Sequence, residues 1–382
     1  MNESTISETE LRPTRLEVDL ARLRANYRVI AEHVRPARVM PVLKANAYGH
    51  GLVAVAKMLE ELKPFGVAVA YLEEALRLRE AGVRMPVLVL GGIVGSQIPR
   101  FIDEKLTLTA SSVDKLRAID ECAAAKRVKA RVHLKIDTGM ERIGIHWYTA
   151  EKLLEASLQM KHVEVEGIFT HFANADAPDL SYSHLQLERF HEVLRFYEKR
   201  SLPTPLRHAA NSGAILQLPE SYLDIVRPGI LFFGSSPDLG LALTLPVKQA
   251  LRWVTKVVFF KVVKAGNPVS YGSTWTPSAP TRVITLPVGY GDGYMRTMSG
   301  QAEVIVNGRR LPVVGRICMD QVMVDIGQSS AYNGDEVVLL GEGGGAQIRI
   351  EELAAWANTI PHEVLTSINT RVPRVYHNVD AH

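Results

Sequence analysis

The feature that most constrains the fold of this chain is a regular alternation of short apolar runs with amphipathic segments. Segments of helical periodicity, such as GLVAVAKMLEELK and SVDKLRAIDECAAAKR, separate one apolar run from the next. Strands that alternate with helices in this way form a parallel sheet with crossover helices, and eight such strands close into a barrel. The predicted barrel strands are Pro41–Ala45, Phe65–Ala70, Pro86–Gly91, Leu106–Ser111, Ala130–Asp137, Val165–Phe172, Leu206–Asn211 and Ile225–Gly234.

A different pattern begins near Leu241. From there, β-branched runs such as VTKVVFFKVV and TRVITLPVG are separated by turn signals such as NGR and NGD, and one helical segment, RIEELAAWANTI, interrupts them. Short strands with tight turns are typical of an antiparallel sheet. We therefore predict an α/β protein with a (β/α)8 barrel of the TIM type over residues 12–240, followed by a mostly antiparallel β-domain over residues 241–382. Residues 1–11 are expected to be flexible or to pack on the β-domain.

Composition and charge exclude several classes of protein. The net charge of +3 over 382 residues is small and the basic residues are dispersed, which disfavours a nucleic-acid partner. No apolar run approaches the roughly 20 residues of a membrane span, and the N-terminal segment lacks the apolar core of a signal peptide. The two cysteines, Cys122 and Cys318, have no metal-ligand spacing. We expect a cytoplasmic protein with no metal site and with neither a membrane nor a nucleic acid as its partner.

The ends of the predicted barrel strands are polar. In an α/β barrel the active site lies at the C-terminal ends of the strands, so side chains at those ends converge. Lys44 alone has an ordinary interpretation, as a lysine whose stem lies on apolar surface while its charge stays in water. In a partly desolvated site the same lysine would have a lowered pKa and act as a nucleophile. The strand-end residues are Lys44, Lys135, Asp137, His171, Asn211, Ser212 and Arg227.

Several of these strand ends together suggest one cofactor. The NSG segment at residues 211–213 begins a helix and offers N–H groups and a hydroxyl to a phosphate, and Gly229 and Ile230 would add further N–H groups. A lysine, a phosphate site and an arginine indicate a pyridoxal phosphate enzyme. That cofactor needs an aldehyde anchor, an anion site and a partner for its ring nitrogen.

A set of motifs extends this interpretation over nearly the whole chain. From about Arg15 onward, the sequence resembles the alanine racemase family in VLKANAYGHG, HLKIDTGMERIG, THFANAD, HAANSGA, VRPGI, VSYGSTW, VGYGDGY, GRICMDQ and RVPR. The resemblance implies a barrel followed by a β-domain, pyridoxal 5'-phosphate as the cofactor, and interconversion of L-alanine and D-alanine for peptidoglycan synthesis. It also implies a homodimer in which each active site uses the partner subunit's β-domain.

The resemblance also implies roles for individual residues. Lys44 would bind the cofactor covalently and act as one base, and Tyr271 of the other subunit would act as the second base. Arg142 would bind the substrate carboxylate, and Met319 would contact the substrate through its main chain. The other implied cofactor contacts are Tyr48, His171, Asn211, Ser212, Arg227, Gly229 and Ile230. The implied residues of the substrate entrance are Asp176, Tyr290, Arg296, Arg316 and Thr370.

Two positions qualify the resemblance. Lys135 matches a lysine that is carbamylated in many relatives, although a plain ion pair with Asp137 is the alternative. Thr370 stands where relatives have a tyrosine that touches the phosphate and narrows the pocket beside the substrate methyl group. The smaller side chain predicts weaker cofactor retention and a secondary activity on serine, because a pocket that excludes by size alone discriminates weakly.

Three alternatives remain open beside alanine racemisation. A broader racemase for alanine and serine would fit Thr370. A decarboxylase of the same fold is disfavoured by Arg227 and by the short HFANADAPD loop, and a non-catalytic cofactor carrier would not need Tyr271 or a β-domain.

The segment VVLLGEGGGA resembles a dinucleotide-binding fingerprint, because glycines follow an apolar strand. A fingerprint requires a helix directly after the glycines, and QIRI follows them here, so we do not expect nucleotide binding at this segment.

Overall fold

The computed structural model describes residues 12–378. The expectation for residues 1–11 lies outside these described residues. The first strand, β1 (Arg15–Asp19), leads directly into helix α1 (Leu20–His33). Asp19 ends the strand and caps the helix, because its Oδ1 accepts a hydrogen bond from the N–H of Arg22 at 3.1 Å.

Eight parallel strands then close into the predicted barrel. The strands are β2 (Arg38–Val39), β3 (Val67–Val69), β4 (Val87–Val89), β5 (Leu108–Ala110), β6 (Ala130–Asp137), β8 (Val163–Phe169), β9 (Leu206–His208) and β10 (Ile225–Val226), with β7 (Ile145–His146) beside β6. Neighbouring strands pair in parallel from β3 to β4, from β5 through β6 and β8 to β9, and from β10 back to β2. Isolated bridges join Val42 to Ala68 and Leu88 to Thr107. The N–H of Arg227 donates to the carbonyl of Ala210 at 2.9 Å and completes the ring between β9 and β10.

Helices cover the outside of the barrel. Strands β3, β4 and β5 are buried along their whole length, as expected for parallel strands with a covered face on each side. The crossover helices are α2 (Leu52–Glu61), α3 (Leu72–Glu80), α4 (Ile98–Asp103), α5 (Val113–Ala125), α6 (Glu151–Gln159), α7 (Ser181–Lys199) and α8 (Ser212–Gln217).

The predicted strand boundaries were wrong at both ends of the barrel sequence. The first strand pairs at Arg38–Val39, before the predicted start at Pro41, and the chain turns at Lys44. The last strand ends at Val226 instead of Gly234. Pro228 has no N–H to donate, and a 3-10 turn over Ile230–Phe233 follows.

The second half of the chain forms the predicted, mostly antiparallel sheet. Its strands are β11 (Leu251–Lys256), β12 (Phe259–Val263), β13 (Thr281–Leu286), β14 (Glu303–Val306), β15 (Arg309–Val314), β16 (Val322–Gly327), β17 (Glu336–Gly343), β18 (Ala346–Ile348) and β19 (Arg374–His377). The strand order is β12-β13-β16-β15-β14-β17-β11-β1-β19, with β18 paired to β17. Asn307 and Gly308 join β14 to β15 with φ values of 50° and 75°, which is the turn expected from the NGR signal.

Strand β1 crosses the predicted division of the chain. It pairs antiparallel with β11, Glu17 facing Arg252, and parallel with β19, Leu16 facing Arg374. The first strand of the described chain therefore lies in the sheet of the β-domain, a pairing that the division at residue 240 did not anticipate. Two helices, α9 (Ile350–Ala357) and α10 (Pro361–Ser367), complete the β-domain. Among residues 12–378, no helix is both long enough and apolar enough to cross a membrane.

The glycine-rich VVLLGEGGGA segment forms a hairpin. Strands β17 and β18 pair antiparallel across Gly344 and Gly345, whose φ values of 57° and 88° suit a tight turn. A nucleotide-binding fingerprint requires a helix directly after its glycines, and a strand occupies that position here.

Candidate active site

Lys44 begins a turn with unusual backbone geometry. It follows the fully buried Leu43, and the next four residues, Ala45 to Tyr48, all have left-handed φ values between 51° and 56°. A left-handed conformation costs roughly 1–2 kcal/mol for a residue with a Cβ. Such strain persists only where surrounding contacts hold it, and it concentrates at functional sites.

Side chains from both domains hold this turn. The Oε1 of Glu74 accepts a hydrogen bond from the N–H of Ala45 at 2.6 Å, and the Oδ1 of Asn46 accepts one from the N–H of Leu52 at 2.9 Å. On the other side, the Nε of Arg374 in β19 donates to the carbonyl of Gly49 at 3.1 Å. The β-domain therefore helps to fix the loop that carries Lys44.

The surroundings of Lys44 favour its neutral form. The side chain is open to solvent at the rim of the barrel, but protein atoms surround it closely enough that desolvation lowers its pKa. The positive charge of Arg142 lowers the pKa further, and the carboxylate of Glu74 partly opposes the shift. Lys44 therefore has the lowered pKa expected of a nucleophilic lysine.

The residues expected to bind a phosphate meet at one place. The Oγ of Ser212 accepts hydrogen bonds from the N–H groups of Gly229 at 3.0 Å and Leu231 at 3.3 Å. The hydroxyl of Tyr48 lies against Gly229, since a Cβ on that glycine would come within 2.4 Å of the tyrosine Oη. Two hydroxyls and a close-packed backbone rich in N–H groups fit the phosphate of pyridoxal phosphate.

The remaining predicted phosphate-site residues support this cradle. The side chain of Asn211 caps α8, its Oδ1 accepting a hydrogen bond from the N–H of Ala214 at 3.0 Å, and Ile230 is fully buried. The ring of Tyr48 packs 5.0 Å from the ring of Phe233 and 5.9 Å from the ring of His362 in α10. Desolvation and the charge of Lys44 lower the pKa of His362 to about 4.

Arg227 is buried and has only neutral hydrogen-bond acceptors. Its Nη1 donates to the Nδ1 of His208 at 2.8 Å, and its Nη2 donates to the carbonyls of Thr170 at 2.8 Å and Ala209 at 2.9 Å. The Nη2 also lies 3.3 Å from the Nδ1 of His171. Burial lowers the pKa of Arg227 to about 9, so the guanidinium stays charged at neutral pH. It fits the role of a donor to the ring nitrogen of pyridoxal phosphate.

Lys135 is almost fully buried beside this arginine. Desolvation and the charges of Arg227 and Arg142 hold its pKa well below the usual range. The carboxylate of Asp137 accepts hydrogen bonds from the N–H groups of Gly139 to Arg142 at 2.8 to 3.2 Å. Among the described residues no carboxylate oxygen lies within 4.0 Å of the Lys135 ammonium.

The residues expected to serve the other subunit form one exposed surface of the β-domain. Tyr271 is 70% exposed and Met319 is 54% exposed. The Oγ of Ser270 donates to the carbonyl of Arg316 at 2.6 Å, and the N–H of Tyr290 donates to the carbonyl of Cys318 at 3.0 Å. The loops that carry Tyr271, Tyr290, Arg316 and Met319 are therefore joined to one another.

A buried carboxylate connects this surface to the predicted entrance. Asp292 is fully buried and accepts hydrogen bonds from the side chains of Arg12 and Arg371, both at 2.6 Å. Arg371 also pairs with Asp320 at 2.5 Å and follows Thr370, whose hydroxyl lies 3.3 Å from the Oδ1 of Asn369.

The last two predicted entrance residues lie in different places. Arg296 is exposed and begins a short 3-10 turn of the β-domain. Asp176 lies in the barrel, where its backbone packs against Gly213, the second residue of α8.

The residues that hold the predicted site residues in place were not identified from the sequence. Glu74 and Arg374 hold the Lys44 turn, and His133 and His208 lie behind Arg227. The two histidines had a signal, because each lies in a predicted barrel strand two or three residues before a predicted site residue and begins a quoted motif, HLKIDTGMERIG or HAANSGA. Arg374 is the last residue of the RVPR motif, but nothing in that motif indicated its contact with a loop 325 residues away in the chain.

Comparison with known proteins places the whole chain beside one group. The family model described as "Alanine racemase, N-terminal domain" matches residues 18–237, and the one described as "Alanine racemase, C-terminal domain" matches residues 250–376. "Alanine racemase 2" of Caldanaerobacter subterraneus subsp. tengcongensis is 44% identical over 370 residues, which cover 96% of this chain and 95% of the relative. The alanine racemase of Carboxydothermus hydrogenoformans is 44% identical over 370 residues, which cover 96% of this chain and 100% of the relative.

Solved structures share the same architecture. The alanine racemase from a D-cycloserine producing Streptomyces lavendulae superposes with a TM-score of 0.92 at 35% identity, covering 96% of this chain and 97% of that one. The alanine racemase of Bartonella henselae with covalently bound pyridoxal phosphate superposes with a TM-score of 0.86 at 30% identity, covering 96% and 99%. The predicted barrel and β-domain are therefore confirmed as the fold.

Proposed function

This chain belongs to the alanine racemase family, and from that premise we propose that it interconverts L-alanine and D-alanine with Lys44 and Tyr271 as two opposed bases. Racemisation removes the α-proton from one face of the substrate and returns a proton to the other face. One proton-transferring group on each side therefore suffices. The D-alanine formed would supply peptidoglycan synthesis in the cytoplasm.

The cofactor of this family is pyridoxal 5'-phosphate, which supplies an electron sink that makes the α-proton of a bound amino acid acidic. Lys44 would anchor it through Nζ, and Arg227 would donate a hydrogen bond to its ring nitrogen. The other residues that would hold it are Tyr48, His171, Asn211, Ser212, Gly229 and Ile230.

Lys44 would transfer the proton on one face. Desolvation and the charge of Arg142 lower its pKa, which increases the fraction of neutral amine at neutral pH. Only the neutral amine has the lone pair that accepts a proton. The left-handed turn after Lys44 and its contacts with Glu74 and Arg374 would keep the amine at a fixed position.

Tyr271 would transfer the proton on the other face, in a site formed with a partner subunit. Its ring and the side chain of Met319 are mostly exposed in the single chain, and their loops are fixed by hydrogen bonds to one another's neighbours. An exposed surface that carries a tyrosine and is fixed by hydrogen bonds suits insertion into a second copy of the barrel. We propose a homodimer with two shared active sites.

Arg142 would bind the substrate carboxylate, and Met319 would contact the substrate through its main chain. Lys135 would carry a carbamate that accepts hydrogen bonds from Arg142. The low pKa of Lys135 favours this reaction, because a neutral amine adds to carbon dioxide and releases one proton. Supplying ¹³C-labelled carbon dioxide should give a carbamate carbon signal that the Lys135→Ala variant lacks, and the same signal in the variant would contradict the assignment.

The observation that carries the choice of racemisation is the environment of Arg227. A guanidinium donates hydrogen bonds and is essentially never deprotonated, so it leaves the ring nitrogen without a proton and weakens the electron sink. Its partners here are carbonyls and imidazoles, with no carboxylate among them. This arrangement favours prompt return of the proton over decarboxylation or transamination.

The proposal is tested by incubating the full-length protein, loaded with pyridoxal phosphate, with L-alanine and measuring D-alanine by chiral chromatography. We expect conversion to an equal mixture, loss of covalent cofactor and activity in Lys44→Ala, and retention of cofactor in Tyr271→Phe with selective loss of proton removal from L-alanine. A loaded protein that leaves alanine unchanged would favour a cofactor carrier. A Tyr271→Phe variant with wild-type rates would remove the second base from the proposal.

A further inference from the structure

A chain of three hydrogen bonds leads from Glu166 in β8, through two buried histidines, to Arg227. The Oε2 of Glu166 lies 3.1 Å from the Nε2 of His133, and the Nδ1 of His133 lies 2.8 Å from the Nε2 of His208. The Nδ1 of His208 accepts the hydrogen bond from the Nη1 of Arg227 at 2.8 Å. Both imidazole rings are fully buried, so water does not compete for these nitrogens.

The charges at the two ends determine where each proton lies. An ionised carboxylate only accepts hydrogen bonds, so the Nε2 of His133 must carry a proton. A neutral imidazole then presents an unprotonated Nδ1, which requires a proton on the Nε2 of His208. His208 is left with an unprotonated Nδ1, the form that Arg227 requires because a guanidinium only donates. One arrangement of protons therefore satisfies all three hydrogen bonds.

The charge states needed for this arrangement agree with the local environment. Desolvation lowers the pKa of His133 although its hydrogen bond to Glu166 and the charge of Glu166 oppose the shift. Desolvation together with the charge of Arg227 holds the pKa of His208 well below its usual range, so both rings are neutral at neutral pH. The hydrogen bond from His133 lowers the pKa of Glu166, and the charges of Arg131 and Arg38 lower it further. The carboxylate is therefore ionised at neutral pH.

Two neighbouring residues, Gly167 and Phe169, pack against the imidazole rings of this hydrogen-bond chain. Gly167 faces His133 across β6 and β8, and a Cβ at that position would come within 2.6 Å of the imidazole ring. The ring of Phe169 stacks on the ring of His208 at 4.7 Å with an angle of 7° between the planes. Both rings are thus confined to the orientation that aligns their nitrogens.

We propose that Glu166 is a positioning residue that fixes the proton positions of His133 and His208, so that Arg227 always meets an acceptor. Without the carboxylate, only Arg227 favours this arrangement. Whenever His133 carries its proton on Nδ1, His208 presents an N–H to a guanidinium that has only N–H groups to offer. Arg227 would lose one of its buried partners. The consequence for catalysis rests on the proposed function, but the proton positions themselves do not.

The first experiment reads the proton positions directly. The full-length protein is labelled with ¹⁵N-histidine and studied by long-range ¹H–¹⁵N correlation NMR, with and without pyridoxal phosphate, and His133→Asn and His208→Asn provide the assignments. We expect both rings to be neutral with the proton on Nε2, in either state. A proton on Nδ1 of either ring, or a charged ring, would overturn the proposal whatever the protein catalyses.

The second experiment compares three variants of one strand. Glu166→Leu removes the acceptor, Glu166→Gln keeps a carbonyl acceptor of the same shape, and Glu164→Leu is the control at an exposed position two residues earlier. In Glu166→Leu we expect the Nε2 proton signals to be lost and the kcat for alanine to fall about tenfold, with KM changed by less than about threefold. Glu166→Gln should recover most of both, and Glu164→Leu should resemble the wild type.

Each outcome is decisive for Glu166. A Glu166→Leu variant with wild-type proton positions and kcat, or a Glu166→Gln variant as defective as Glu166→Leu, would overturn the role assigned to the carboxylate. If Glu166→Leu does not fold, the NMR result on the wild-type protein still decides. Failure of the wild-type protein to racemise alanine would reject the proposed function and leave the proton positions to be judged by NMR alone.

Discussion

At the scale of single residues, the pKa of Lys44 is the property on which the proposed chemistry most depends. Desolvation and Arg142 lower this pKa, and Glu74 raises it. The lysine is protonated below its pKa and neutral above it, so each neighbour sets the pH at which the amine becomes reactive. Covalent uptake of the cofactor by the cofactor-free protein needs the neutral amine and therefore reports this pKa.

Replacing Arg142 with Gln should move that uptake to higher pH. The substitution removes a positive charge that lowers the Lys44 pKa, so the pKa rises and the amine becomes neutral only at higher pH. The rate of uptake is measured by absorbance over a range of pH. Arg142→Lys keeps the charge and should leave the profile in place, whereas a downward shift in Arg142→Gln would contradict the prediction.

Replacing Thr370 with Tyr should tighten cofactor retention and raise the ratio of kcat/KM for alanine over serine. Thr370 is exposed and its hydroxyl faces Asn369, so a tyrosine ring has space at this position and would narrow the substrate pocket. A hydrogen bond to a charged phosphate contributes about 1.5–3 kcal/mol, and exclusion of a small group by size contributes roughly 10–200-fold in specificity. Cofactor retention is measured by dialysis of the loaded protein, and the specificity ratio is measured from the racemisation of each amino acid.

The control for that experiment is Thr370→Val, which removes the hydroxyl but keeps the size of the side chain. We expect its alanine-to-serine ratio to match that of the wild type. A ratio that stays flat or falls in Thr370→Tyr would mean that another side chain already fills the space.

At the scale of the elements, the turn after Lys44 depends on strand β19. Arg374 donates to the carbonyl of Gly49 and also to the carbonyls of Ile368, Asn369 and Val372. A Cβ on Gly51 would come within 1.8 Å of the hydroxyl of Tyr376. The strand therefore supplies contacts that offset the cost of four consecutive left-handed residues.

Replacing Arg374 with Ala should destabilise the protein by about 1–3 kcal/mol, because several partly buried carbonyls lose a charged donor. It should also weaken cofactor retention, since the Lys44 turn loses its support from the β-domain. Urea unfolding measures the first effect and dialysis of the loaded protein the second. Arg117→Ala, an exposed helix position, is the control, and unchanged retention in Arg374→Ala would show that the turn holds itself.

Local sequence patterns predicted which segments form strands and helices better than they predicted which strands pair with each other. The alternation of strands and helices identified the barrel, and the polar ends of its strands identified Lys44, Ser212 and Arg227. The pairing of β1 with β11 and β19 was missed because strand pairing over such separations leaves no local signal. The left-handed turn was missed because its residues are not glycines and tertiary contacts impose its conformation. Tyr271 and Met319 were identified by resemblance alone.

At the scale of the whole molecule, the proposed sharing of each active site between two subunits makes complementation possible. In a mixed dimer of Lys44→Ala with Tyr271→Phe, one of the two sites contains an intact Lys44 from one subunit and an intact Tyr271 from the other. Random mixing of symmetric dimers should restore about a quarter of wild-type activity.

The complementation is measured on the mixture of dimers that forms when the two variants are co-expressed in equal amounts. Each variant alone is the control and should be nearly inactive in the conversion of L-alanine. If Tyr271 acted within its own chain, every site of the mixed dimer would lack one base. Activity no higher than that of the separate variants would therefore contradict the shared site.

The position of β1 has a consequence for how the protein is made. Glu17 of β1 pairs with Arg252, 235 residues later, so on a ribosome adding 5–20 residues per second the first strand waits on the order of 10–50 s for its partner. Strands β2 and β10, which pair in the barrel, are both synthesised before then, so all the barrel strands exist while β1 still lacks its partner. Arg374 and Tyr376 emerge later still. For nearly the whole of its synthesis, the nascent chain therefore contains Lys44 without the contacts from Arg374 and Tyr376 that hold the Lys44 turn.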